Sequence, residues 1–231
     1  MYCARDADGA EEKEMLKGVI FDMDGTLGDT VALCVETFCR CVSECTGRRP
    51  SEQEVMSHFG VSDRGVLGAL LGMEPQSPQL PVERMAAIYE ELHAAYAPAP
   101  FDGAVAMLQR LRARGLYVAL VTGKEPYTAL PTLRRFGMAG LFDDCFYGCP
   151  THNCKAERMR ELMAHRGYAA DELVYVGDAP GDIEQSRQAG VRIVNAAWAD
   201  SAAAESEACL ALQPDYRLTD FSRLEPLLMT L

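Results

Sequence analysis

Val19-Ile20-Phe21-Asp22-Met23-Asp24-Gly25-Thr26 is the stretch on which the reading of this chain turns. Gly18 to Phe21 is a short apolar run, closed at once by two carboxylates and a glycine. A short apolar run bounded by turn signals reads as a buried strand. Asp22 then stands at the strand's carboxyl end, where open α/β sheets bind ligands. Asp24 faces the same pocket if the chain turns sharply, and Gly25 supplies the backbone freedom for that turn. The plain alternative is a solvated turn, against which stand the strand before the pair and Gly-Thr after it. Phosphoryl transfer needs an in-line nucleophile, a proton donor for the leaving oxygen and positive charge around the equatorial oxygens. A carboxylate can be that nucleophile, passing through an aspartyl-phosphate.

Three further segments carry groups of the same kind. Leu116-Tyr117-Val118-Ala119-Leu120-Val121 is a second buried strand pattern, followed by Thr122 and Gly123. The Thr122 hydroxyl and the Gly123 amide can donate to phosphate oxygens, although a threonine after a strand is most often a cap or turn residue. Lys124 follows as a lesser candidate for phosphate contact. Lys155 opens a helical pattern that carries Met159, Leu162 and Met163. A lysine in such a place is usually a solvated charge, but no other lysine follows Lys124. Asp178 and Asp182 end the strand Leu173-Val174-Tyr175-Val176 and enter the next helix. Two more acids near Asp22 make a large negative field, and a bound Mg²⁺ with oxygen ligands is the simplest resolution. Asp182 also suits a helix's first turn, where an acid complements the dipole.

In this order the four segments resemble the haloacid dehalogenase superfamily, in particular its phosphoglycolate-phosphatase-like branch with a helical cap. The resemblance runs from about Lys17 to the end, and D-x-D-G-T is its most specific part. It implies Asp22 as nucleophile and Asp24 as the acid that protonates the leaving group and then the base that activates water. It implies phosphate binding by Gly25, Thr122, Gly123 and Lys155. It implies Mg²⁺ held by the Asp22 carboxylate, the Asp24 backbone carbonyl and the Asp178 carboxylate, with Asp182 behind them or acting through water. The dehalogenase branch lacks the second aspartate, which is present here. A common family form has proline after the lysine, where this chain has Ala156. The expected activity is hydrolysis of a small phosphorylated metabolite. One alternative is a sugar phosphomutase of the β-phosphoglucomutase type, whose cap loop Phe59-Gly60-Val61-Ser62-Asp63-Arg64 faintly resembles; no histidine follows Asp29-Thr30 closely, where that group places one. The other is a non-catalytic binding or regulatory relative, against which all the core polar groups are present.

Outward from these motifs, strand and helix alternate: strand 18–22, helix 103–114, strand 116–121, a short strand near 145–147, strand 173–177, helix 181–189, strand 191–195, a strand near 215–218 and helix 221–229. Such alternation implies an α/β fold, a Rossmann-like doubly wound parallel sheet with helices on both faces. Residues 31–97 interrupt it and read as all helix. Val31, Cys34, Val35, Phe38, Val42 and Cys45 follow the helical period until Gly47. Ser51-x-x-Glu54 is a capping-box pattern, a helix 62–71 starts at Ser62, and Pro81 suits the first turn of another. The expected organisation is an extension over 1–16, a core of 17–30 and 98–231, and an inserted helical cap over 31–97. A cap can close over the site and choose the leaving group. Its candidate substrate-selecting residues are Arg64, Ser62 and His58, with Asp63 beside them.

Composition sets the bounds. At 231 residues and 48% hydrophobic, the chain can bury one good core and a smaller subdomain. A net charge of −12 argues against nucleic acid as a partner. A metal and Lys155 can still reverse the local field for an anionic substrate. The polar N-terminus lacks an apolar signal core and no stretch is long enough to span a membrane, so a cytoplasmic monomer or homodimer is expected. Nine scattered cysteines fit free thiols in a reducing compartment. Cys34, Cys41 and Cys45 read as small core hydrophobes on one helix face. Cys145, Cys149, His152 and Cys154 are the one cluster that raises a structural zinc, but their spacing is not a standard pair of C-x-x-C.

Overall fold

The structure is a computed structural model that describes residues 16–231. Of the extension expected over 1–16, only Leu16 falls among them; the rest lies outside the described residues. The chain runs β1 (Gly18–Phe21), α1 (Val31–Thr46), α2 (Glu52–Met56), α3 (Asp63–Leu71), α4 (Val82–Tyr96), α5 (Ala104–Ala113), β2 (Tyr117–Val121), α6 (Pro126–Arg135) and β3 (Asp144–Phe146). It continues through α7 (Lys155–Arg166), β4 (Leu173–Gly177), α8 (Pro180–Ala189), β5 (Arg192–Ala196), α9 (Ala202–Ala211), β6 (Tyr216–Leu218) and α10 (Leu224–Leu228).

All six strands pair in parallel, in the order β3-β2-β1-β4-β5-β6. β1, β2 and β4 are buried along their whole length, which is why they read as unbroken apolar runs rather than alternating ones. In register, Phe21 pairs with Leu120 and with Val176. The residues just past those three strands therefore meet at one end of the sheet, at the switch in strand order where α/β folds bind ligands.

Between β1 and α5 lie four helices, as the periodicity of residues 31–97 predicts. Ser51 accepts the Glu54 N–H at 3.1 Å, the forward half of the predicted capping box. Gly47 and Gly72 close α1 and α3 in the left-handed conformation that glycine adopts without strain. Cys34 and Cys41 are buried, but Cys45 is exposed, one turn past the end of the covered face. One apolar cluster runs from the sheet (Val19, Phe21, Val118, Val174) into these helices (Leu33, Val66, Met85, Ile88) without a gap. Two helices, α6 and α9, are absent from the sequence reading. α6 carries Pro131 in its interior, a residue that removes a helical hydrogen bond and argues against a helix when only sequence is in view.

Candidate active site

β1 delivers Asp22 to the floor of a cavity of about 480 Å³ between the strand ends and the helical insertion. Asp22 is 5% exposed. The Lys155 ammonium, at the start of α7, stands 3.0 Å from its Oδ1, close enough for an ion pair though not in hydrogen-bond geometry. Lys155 reaches Asp182 Oδ1 at 2.6 Å on its other side. Asp182 also accepts from the Tyr175 hydroxyl and from the Ala179 N–H, both at 3.1 Å. Asp182 is thus a fully engaged anchor for Lys155 rather than a free acid. Burial raises the Asp22 carboxyl to about 7; Lys155 opposes this, while Asp182 and Asp24 add to it.

Asp24 sits on the opposite wall. The turn Asp22–Gly28 is closed by Gly25 N–H to Gly28 O at 2.9 Å and Leu27 N–H to Met23 O at 2.9 Å. Trp198 braces it by donating to Thr26 O at 3.2 Å. The turn aims the Asp24 side chain towards α1, where it accepts from the Thr30 hydroxyl and contacts the Cys34 thiol at 3.6 Å. The Lys124 ammonium is 3.3 Å from Asp24 Oδ1 and 3.1 Å from Cys34 Sγ, and lies 4.4 Å above the Tyr89 ring. Lys124 is 3% exposed. Ranked low from sequence, it is the cation that orients Asp24. Each D-x-D carboxylate therefore has its own buried lysine, and the two pairs differ in what lies behind them.

Asp22, Asp178 and Asp182 present carboxylate oxygens all within 4.8 Å of one another. Burial pushes the Asp178 carboxyl well above the usual range, and the charges of Asp182 and Asp22 push it further. Gly25, at φ 70°, packs directly on this carboxylate: a Cβ there would lie 2.0 Å from Asp178 Oδ2. Hard oxygen donors in excess of the one lysine among them are a donor set suited to a divalent cation. The residues fit such an ion.

The remaining expectations fare unevenly. Gly123 lines the cavity beside Lys124. Thr122 is 1% exposed and does not line it; its hydroxyl accepts the Lys124 N–H at 3.3 Å, the turn role. Arg64 is not among the cavity's lining residues either: its guanidinium is 3.7 Å from Glu125 and donates to Pro75 O at 3.3 Å. Ser62 is buried and donates to Glu125 at 2.5 Å. His58 lines a separate shallow depression with Pro75 and Pro150. None of the three cap candidates lines the cavity: Glu125, from the core, holds Ser62 and Arg64, and His58 lies in the separate depression. Asp63 instead lines the cavity and locks insertion to core, accepting the Glu125 N–H at 2.9 Å and the Thr128 hydroxyl at 2.5 Å. The wall over Asp22 is largely apolar: Val31, Phe38, Met56, Phe59, Val61 and Val66. Among the described residues the Cys145, Cys149, His152 and Cys154 side chains do not converge as a metal site.

The family model of the haloacid dehalogenase-like hydrolases matches residues 19–196. Over 184 residues the chain is 29% identical to the N-acetylmuramic acid 6-phosphate phosphatase of Pseudomonas aeruginosa, covering 77% of this chain and 80% of that one. It is 29% identical over 183 residues to the phosphoglycolate phosphatase of Thiobacillus denitrificans, covering 76% and 80%. The crystal structure of CbbY from Rhodobacter sphaeroides in complex with phosphate superposes with a TM-score of 0.75 at 17% identity, over 94% of this chain and all of that one. That last likeness is one of fold.

Proposed function

We propose a function from the premise that this chain belongs to the haloacid dehalogenase-like hydrolases: it is a phosphatase that hydrolyses a small phosphorylated metabolite through an aspartyl-phosphate. The observation that carries this reading is the pair of oppositely placed carboxylates, Asp22 on Lys155 and Asp24 on Lys124, lining one cavity. Its relatives include proteins named as phosphatases of two different metabolites, N-acetylmuramic acid 6-phosphate and phosphoglycolate.

An Asp22 oxygen attacks phosphorus in line, and the bond to the ester oxygen breaks. Asp24, oriented by Lys124 and Thr30, gives its proton to the departing oxygen. Asp24 then takes a proton from water, the water oxygen attacks the same phosphorus, and the Asp22–phosphate bond breaks, releasing phosphate and restoring the Asp22 carboxylate and the protonated Asp24. Lys155 offsets charge on Asp22 and on the phosphoryl group, and its tie to Asp182 keeps it in place. The Asp22 and Asp178 carboxylates and the Asp24 backbone carbonyl would hold a Mg²⁺, which would supply further positive charge to the phosphoryl group. The apolar wall of the insertion excludes water and meets the body of the leaving group.

The test is a panel of phosphorylated metabolites with Mg²⁺, reading released phosphate, together with acid-quenched peptide mapping for phosphate on Asp22. Phosphate release with a labelled Asp22 peptide is the expected result. Isomerisation of a phosphosugar without release would identify a mutase, and no turnover on any ester would leave a binding relative.

A further inference from the structure

We infer that Cys149 is a modification site: an activated thiol, held by His152 and Glu157 on the loop that seats the helical insertion, which peroxide-class oxidants convert to sulfenic acid. Cys149 Sγ lies 3.5 Å from His152 Nδ1 and 3.2 Å from the Thr151 hydroxyl. His152 Nε2 lies 2.9 Å from Glu157 Oε1. The carboxylate can only accept, so it fixes the imidazole proton on Nε2 and leaves Nδ1 as an acceptor facing the thiol and the Thr151 hydroxyl. Nucleophile, base and orienting acid are thus lined up in the order that activates a thiol. None of the three belongs to the phosphoryl site. The Thr151 hydroxyl and the backbone N–H groups of Thr151 and His152 hold the Cys149 thiol below its ordinary range, whereas burial raises Cys34, Cys39, Cys41, Cys145 and Cys154. Cys149 is partly accessible and His152 is half exposed, so a small oxidant can reach the sulfur.

The step balances with the peroxide alone. His152 takes the thiol proton, the thiolate sulfur attacks one peroxide oxygen, the O–O bond breaks, and the leaving hydroxide recovers the proton as water. Sulfur loses two electrons and the peroxide gains them.

The position gives the chemistry a consequence. The Ser62 N–H donates to Cys149 O at 2.8 Å, and Gly148 N–H donates to Lys124 O at 3.0 Å. Gly65 packs so closely on Pro150 that a Cβ would lie 2.3 Å from its carbonyl oxygen. The loop is therefore wedged between the start of α3 and the Gly123-Lys124 backbone. An added oxygen or a mixed disulfide on Cys149 displaces Thr151 and His152 and loosens that wedge.

The test times iodoacetamide and hydrogen peroxide modification of each cysteine in the full chain by peptide mapping. Cys45 serves as the internal control, since it is exposed and its thiol pairs with Cys41 rather than with an imidazole. Cys149 is expected to react roughly tenfold faster than Cys45 at neutral pH, because a base and hydrogen-bond donors favour its thiolate. His152→Ala should bring Cys149 down to the Cys45 rate while leaving Cys45 unchanged, and Glu157→Gln should give an intermediate rate. Equal rates at Cys149 and Cys45, or a Cys149 rate indifferent to His152→Ala, would overturn the inference. A second arm follows aryl phosphate hydrolysis after peroxide. Loss in the natural chain but not in Cys149→Ser supports the coupling to the cap. Retained activity with Cys149 fully oxidised refutes that coupling. The mapping arm reads out even if the enzyme hydrolyses no ester.

Discussion

Replacing Asp22 by Asn should abolish turnover without unfolding the chain, because no other carboxylate at the strand ends has the same approach. Asp24→Asn should slow turnover by roughly 10²–10⁴, the range for a lost acid-base group. Residual activity of Asp22→Asn near the natural rate would rule out the covalent route. At the same scale Gly25 bears a sharper constraint. Alanine there is strained at φ 70° and drives its Cβ into the Asp178 carboxylate. Gly25→Ala should cost about 1–3 kcal/mol in urea denaturation and should abolish stabilisation by Mg²⁺; an unchanged Mg²⁺ response would show that Asp178 can move freely. Asp22, Lys155 and Asp178 were legible from sequence because each directly follows a strand or opens a helix, so sheet topology brings them together; Asp24 was legible from the turn two residues past Asp22. Lys124 was not. Its value comes from Asp24 and Cys34, 100 and 90 residues away, and nothing near it in sequence announces that its ammonium is buried.

Among the elements, the insertion is where local pattern and long-range chemistry part company. The helical period of α1 and the capping residue of α2 are local facts, and they predicted their helices. Which side of the Ser62-Asp63-Arg64 loop faces the cavity is decided by Glu125, at the foot of α6, an element missing from the sequence reading. The expected consequence reverses the natural guess about Arg64. Arg64→Ala should lower kcat/KM about equally on a small acidic phosphate and on a neutral aryl phosphate, because it touches Glu125 and not the cavity. A selective loss on the acidic substrate would mean that the guanidinium swings inward when substrate binds. Asp63→Ala should do more, removing the acceptor for the Glu125 N–H and the Thr128 hydroxyl at once. Each deserted partner costs about 1–3 kcal/mol if it stays dry, which a lowered urea midpoint would register.

For the molecule as a whole, pH and metal act against each other through the acidic cluster. Folding lifts the Asp22 carboxyl from its ordinary 3.8 to about 7, and Asp178 is raised as well. The metal-free folded state then holds protons that the unfolded chain has released, so stability present below about pH 4 drains away as pH rises towards 7. A divalent cation needs the ionised carboxylates, so its effect runs the other way. The stabilisation on adding Mg²⁺, read in urea denaturation, should be small near pH 5 and grow towards pH 7, reaching about 2.7 kcal/mol at a hundredfold excess over Kd. A metal increment independent of pH would place the ion away from Asp22 and Asp178. This part of the molecule was legible as a charge imbalance, but its size was not, since it depends on how dry the strand ends are.

The unbroken apolar cluster that joins the sheet to α1, α3 and α4 also bears on how such a chain can change over time. Tyr89 on α4 shares a 2.7 Å bond with Thr132 on α6, and buried His93 on α4 stacks edge-on to Phe136 just beyond. The stretch from 31 to 97 is therefore no interchangeable cassette. Its short helix α2 is the part freest to diversify, whereas α3 is tied to the core through Asp63 and Gly65. Its two long helices are co-inherited with the sheet, and a transplant that spared the catalytic residues but cut between α4 and α6 would open a hole in both parents' cores.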